Sequence, residues 1–135
     1  MKTVAVDFDG VIHAYSKGWH DGTIYDEPVP GAFEALRGLM ERYAVFVHTS
    51  RDAGQVGEWI GERSGIPCEW FTDLRNPVRF WTHQDSLLIT PLKLPAIAYI
   101  DDRGIRFEDW DQALGALAAH EAPEHPGHAD KEQLT

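Results

Sequence analysis

The sequence predicts a single α/β domain built on a parallel β-sheet, with helices packed on both faces. Three observations point there. Short, nearly unbroken apolar runs (residues 2–8, 44–48 and 96–100) alternate with stretches whose apolar residues recur at helical spacing. Each of those runs stops at polar residues able to do chemistry, which is where the sites of parallel sheets lie. A length of 135 residues, 43% of them hydrophobic and five of them Trp, fits one domain with a single core, and no internal repeat or second domain is expected.

The elements follow in order. Residues 2–8 (KTVAVDF) read as a buried strand, β-branched at Val4 and Val6 and ended by Asp9-Gly10. Residues 12–30 are rich in Gly, Pro, His and aromatics without a helical period, and are expected to form a flap over the end of that strand. Pro30 stands where a first helical turn begins. Phe33, Leu36, Leu39 and Met40 then form the stripe of an amphipathic helix ending near Tyr43. Residues 44–48 (AVFVH) are a second buried strand. Asp52 is the expected N-cap of a helix with Val56, Trp59 and Ile60 on its apolar face. A third strand is expected at 66–71 after the Gly65 break and a short one at 87–89; residues 72–85 carry no clear period. Residues 96–100 (AIAYI) form another buried strand, ended by Asp101-Asp102. A last helix is expected from 107 to 119, with Trp110, Leu114 and Leu117 on one face. Residues 1–119 thus form the core domain. Residues 120–135 lack an apolar period and are expected to be a disordered acidic tail.

Net charge is −10, and its distribution excludes a broad electrostatic grip on nucleic acid. Residues 107–135 hold seven acids and one base, a net −6. No run approaches the length of a membrane span, and the N-terminal stretch lacks the pattern of a secretory signal. One cysteine, Cys68, rules out an internal disulfide. Together these predict a cytoplasmic protein without membrane association, its oligomeric state left open.

Four short segments carry the chemistry. In Asp7-Phe8-Asp9-Gly10 two carboxylates at i and i+2 share one face of a strand end, and like charges that close call for a cation. Oxygen ligands without Cys or His suit a hard ion such as Mg²⁺. Gly10 lets the backbone turn and come close to a ligand. In His48-Thr49-Ser50-Arg51 a hydroxyl, backbone N–H groups and a planar guanidinium follow a strand, a combination suited to phosphate. Lys93, between Pro91 and Pro95, offers a point charge to a transferring phosphoryl group. Asp101-Asp102-Arg103 places adjacent acids directly after a buried strand, which is costly unless a cation or donors meet them. Each segment also has an ordinary reading: a polar strand end, a turn hydroxyl, a surface ion pair, a solvated lysine, a capping acid.

Taken together, in the order DxDG, Thr, Lys, DD, these segments resemble the haloacid dehalogenase superfamily over residues 2–107. The resemblance implies a Rossmann-like three-layer α/β/α sandwich and a Mg²⁺-dependent phosphomonoester hydrolase. It makes Asp7 the nucleophile that forms an aspartyl-phosphate and Asp9 the general acid and then base. Thr49 would bind the phosphoryl group and Lys93 would stabilise it. The metal would be held by Asp7, Asp9 (through its backbone carbonyl), Asp101 and Asp102, with Asp101 preferred over Asp102 as the direct ligand. Gly10, Ser50, Arg51 and Arg103 would contact substrate.

Val11 departs from the Thr common at that position of the family. Only 39 residues separate Asp9 from Thr49 and 43 separate Thr49 from Lys93, so the chain resembles a capless member with residues 12–30 as its flap. The Thr-Ser-Arg and Asp-Asp-Arg pieces are similar to phosphatase modules that act on polynucleotide ends, with Arg75, Arg79 or Arg106 as further contacts. The partner is accordingly a phosphorylated small molecule, such as a nucleotide or sugar phosphate, or a nucleic-acid terminus.

The rival from another class is a non-catalytic phosphate- or metal-binding module of the same fold. A two-component receiver domain fits poorly, because its acidic pair precedes the phosphorylated Asp. His120, His125 and His128 read as solvated tail rather than a zinc site. Trp59, Trp70 and Trp110 read as core. Trp19 and Tyr25 are candidates for substrate contact from the flap, His13 and His20 could line it, and His48 is expected to face the interior.

Overall fold

The computed structural model describes residues 1–71, 75–101 and 104–121. The elements run β1 (Thr3–Asp7), α1 (Ala32–Met40), β2 (Ala44–His48), α2 (Ala53–Ser64), β3 (Cys68–Glu69), β4 (Leu87–Thr90), β5 (Ala98–Asp101), β6 (Ile105–Arg106) and α3 (Trp110–Glu121). The six strands form one sheet in the order β3-β4-β2-β1-β5-β6, parallel throughout. Among the described residues no helix is long and apolar enough to cross a membrane.

Side-chain alternation along the strands divides the core in two. Val4 and Val6 of β1, Val45 and Val47 of β2, Leu87 and Ile89 of β4 and Ile100 of β5 face one cluster, which all three helices enter. Ala5, Ala44, Phe46 and Leu88 face the other, where Trp81 and Leu94 bury them with help from Val78, Ala96 and Tyr99. The expected three layers are therefore corrected: helices cover one face, and irregular chain from 78–81 and 94–96 covers the other. Crossover handedness accounts for this. The steps β1 to β2 and β2 to β3 run the same way across the sheet and share a face, whereas β3 to β4 and β4 to β5 run back and take the opposite one. The returning connections simply contain no helix among the described residues.

Local chemistry explains most element ends. Asp52 caps α2 as expected, its carboxylate accepting from Gln55 N at 2.9 Å. Helix α1 starts two residues after Pro30, with Gly31 rather than a proline at its entry. Helix α3 starts at Trp110, three residues later than expected, because Asp109 accepts from Gln112 N at 2.8 Å. Its buried face is Trp110, Ala113 and Leu117, and Leu114 points to solvent. The third strand shrinks to Cys68–Glu69, and β6 is too short for a sequence period to reveal it.

Strands β1 and β2 are almost wholly buried, so their ends are held rigidly. Residues after β1 turn at once: Phe8 O accepts from the N–H groups of Val11, Ile12 and His13. Gly10 supplies the conformation this turn needs, with φ at 83°. A Cβ there would meet nothing within 4 Å, so the backbone angle, not close approach, requires glycine. Val11, Ile12 and His13 are core residues, and the flap proper begins beyond them. Residues 122–135, most of the expected tail, lie outside the described residues.

Candidate functional site

The C-terminal ends of β1, β2 and β5, with the loop after β4, enclose an open pocket of about 300 Å³ lined by Asp7, Asp9, His48, Thr49, Ser50, Lys93 and Asp101. Parallel pairing creates this gathering. Asp7 stands beside His48 in the β1–β2 register, and Val6 pairs with Ile100, one residue before Asp101. Thr49 N donates to Thr90 O at 3.0 Å, which ties the end of β2 to that of β4.

The pocket mixes three carboxylates, two hydroxyls, an ammonium group and an imidazole. Asp7 ends a buried strand, and Phe8 N donates to its Oδ1 at 2.9 Å. Burial raises its pKa above the ordinary carboxylate value, and the neighbouring Asp101 and Asp9 charges push the same way; the Phe8 N–H and His48 oppose them. Thr49 is buried, its hydroxyl accepting from Arg51 N at 3.1 Å, while Ser50 is exposed. Lys93 lies 5.9 Å from the centre of the Tyr99 ring. Tyr99 donates to Leu94 O, which anchors the stretch that carries Lys93. Asp101 Oδ1 accepts from Gly104 N at 2.7 Å. His48 lines the pocket instead of the interior, its Nε2 3.2 Å from Pro91 O.

Asp9 is held from two sides. Arg51 Nε lies 2.9 Å from its Oδ2 and 3.1 Å from its Oδ1, and His13 Nδ1 lies 2.8 Å from Oδ1. Arg51 is buried, donates through Nη1 to Gly22 O at 2.8 Å and stacks 4.6 Å from the centre of the Trp19 ring. Its guanidinium thus joins Asp9 to residues 19–22 and does not line the pocket, where the sequence placed it against phosphate. Tyr25 is likewise used inside the flap, its hydroxyl donating to Gly18 O and its ring packing on His13. His20 packs on Tyr25 in turn. Gly10 forms the turn below the pocket without lining it.

Arg75, Arg79 and Arg106 do not line the pocket. Asp102 and Arg103 lie outside the described residues. The partnership of His13 and Arg51 with Asp9 escaped the sequence, because nothing in the spacing marks a turn that swings His13 back under Asp9.

A cation fits this donor set. Asp7 and Asp101 present carboxylates whose charges repel one another, and Asp9, its side chain engaged by Arg51 and His13, has its backbone carbonyl to offer. All are hard oxygen donors. Among the described residues no three His, Cys, Asp or Glu side chains already converge as a complete ligand set. Comparisons of the chain with protein-family models, with curated proteins and with solved structures found no match.

Proposed function

We propose that the chain is a Mg²⁺-dependent phosphomonoester hydrolase of the haloacid dehalogenase type, acting through an aspartyl-phosphate on Asp7. One observation carries this reading. Asp7, Asp9, Thr49, Lys93 and Asp101, from four separate stretches of chain, line one open pocket at the carboxyl edge of a parallel sheet.

The chemistry follows from the groups present. The Phe8 N–H occupies Asp7 Oδ1, which leaves Oδ2 to attack phosphorus as the bond to the leaving oxygen breaks. Asp9 gives a proton to that oxygen and then takes one from the water that cleaves the acyl phosphate. Thr49 and Lys93 meet the phosphoryl oxygens, their donors facing the charge that moves during transfer. A bound Mg²⁺, held by Asp7, Asp101 and the Asp9 carbonyl, would neutralise the repulsion between carboxylate and phosphate. The openness of the pocket suits a nucleotide, a small sugar phosphate or a polynucleotide end.

Phosphate release from p-nitrophenyl phosphate tests this reading, measured with Mg²⁺, with EDTA and with Asp7→Asn. Release that needs Mg²⁺ and disappears in the variant is expected. No release from this ester or from a panel of natural phosphates would leave a phosphate-binding module as the better account.

A further inference from the structure

We propose that His13 is a positioning residue for Asp9: its Nδ1–H holds Oδ1, so that Oδ2 is the oxygen presented to the leaving group. The inference rests on the phosphatase reading and adds to it a residue outside the pocket lining.

Hydrogen bonding fixes the ring's tautomer. The backbone N–H of Asp26 can only donate, and it lies 3.0 Å from His13 Nε2. Nε2 must therefore accept, which places the ring's single proton on Nδ1, 2.8 Å from Asp9 Oδ1. Rotating the ring by half a turn would replace both nitrogens with carbons and lose both bonds. Packing also opposes that rotation. His13 is fully buried, stacked on Phe8 at 5.5 Å and edge-on to Trp59 and Tyr25 at 5.7 and 5.3 Å.

Arg51 does not do this work, because its single Nε–H is shared between Oδ2 at 2.9 Å and Oδ1 at 3.1 Å and so does not set Oδ1 apart. His13 does. A donor at Oδ1 is satisfied whether Asp9 is a carboxylate or an acid protonated on Oδ2, so the same bond serves before and after proton delivery. The turn after β1 supplies the geometry: three N–H groups converge on Phe8 O and bring residue 13 beneath residue 9. A buried imidazole four residues after a pocket carboxylate is also a plausible core residue, and its two nitrogens allow the two roles to be separated.

His13→Asn keeps a donor near the Nδ1 position and loses the acceptor for Asp26. His13→Gln keeps an acceptor near Nε2 and loses the donor for Asp9. The readout is kcat/KM for two esters, since it covers the steps through departure of the leaving oxygen. Phenol, with the acidity of a tyrosine (about 10), needs a proton on departure far more than the more acidic p-nitrophenol does.

The expected result is that His13→Gln loses at least about tenfold more on phenyl phosphate than on p-nitrophenyl phosphate, because oriented general acids contribute about 10²-fold or more. His13→Asn should lose the same small factor on both esters, although both variants melt earlier than wild type. Equal losses for the two variants on the two esters would overturn the inference and leave the phosphatase reading intact. So would a long-range ¹H–¹⁵N spectrum of histidine-labelled protein in which His13 carries its proton on Nε2. A wild-type chain inactive on both esters and on natural phosphates would defeat the phosphatase reading itself, and the catalytic purpose of His13 with it.

Discussion

Removing the Arg51 guanidinium should destabilise the fold far more than removal of a surface ion pair does. The Arg51 side chain is 3% exposed and that of Asp9 22%, so the pair lies between two known limits. Exposed pairs contribute about 0–1 kcal/mol, and breaking a buried one costs about 3–5 kcal/mol. Partial exposure on the Asp9 side places the coupling at about 2–3 kcal/mol. Arg51→Met also loses the bond to Gly22 O, a further ~1 kcal/mol. A total of about 3–4 kcal/mol corresponds to a fall in Tm of about 10–15 °C for a domain of this size. The assay is a urea-denaturation double-mutant cycle of Arg51→Met with Asp9→Asn. A coupling below about 0.5 kcal/mol would refute the idea that this pair ties residues 19–22 to the end of β1.

Asp7→Asn, measured in EDTA, should stabilise the protein at pH 7. Burial raises the Asp7 pKa in the folded state, so its charge costs stability once pH rises through that value. The gain should vanish toward the unfolded carboxylate pKa of about 3.9, and urea melts at pH 7 and pH 4 check the sign. Adding Mg²⁺ at about 100 times its Kd should stabilise wild type by ~2.7 kcal/mol and Asp7→Asn by clearly less; an unchanged wild-type Tm would count against the carboxylate site. Gly57→Ala would place a Cβ 2.4 Å from Trp70 Cζ3, an overpacking cost of about 1–3 kcal/mol. In a Trp70→Leu background the same substitution should instead stabilise by a few tenths to about 1 kcal/mol, through helix propensity alone.

The strands that carry the site were the most legible part of the sequence. Val4, Val6, Val45 and Val47 sit in continuous apolar runs, the signature of strands buried on both faces. The pocket residues other than His48 were legible for the same reason, since each ends or directly follows such a run or lies in the loop beside one. Expectations failed where order comes from tertiary contact. Trp81 lies in a stretch without period and is nonetheless buried, held by Thr3 Oγ1 donating to its carbonyl at 2.7 Å. Leu114 obeyed the helical period but faces solvent, because Ala113 occupies the packed position. Arg51 looked like a phosphate ligand, and only the fold shows that Asp9 and Gly22 claim it. Helix count could not be turned into layers without the strand order, which no local pattern encodes.

The covering of the sheet's second face has a thermal consequence. That face is shielded by stretches with few backbone ladders, fastened by Trp81, Leu94 and the Tyr99 hydroxyl bond to Leu94. The Trp81 indole N–H is buried there without a partner among the described residues. Segments of this kind open at lower free energy than a helix-covered core. Lys93 belongs to this cover, whereas Asp7 ends the interior strand β1 and Asp9 stands in the turn directly after it. Heating should therefore peel Lys93 from the pocket while the helix-covered half still holds, and the proposed phosphatase activity should fade several degrees before the helical signal is lost.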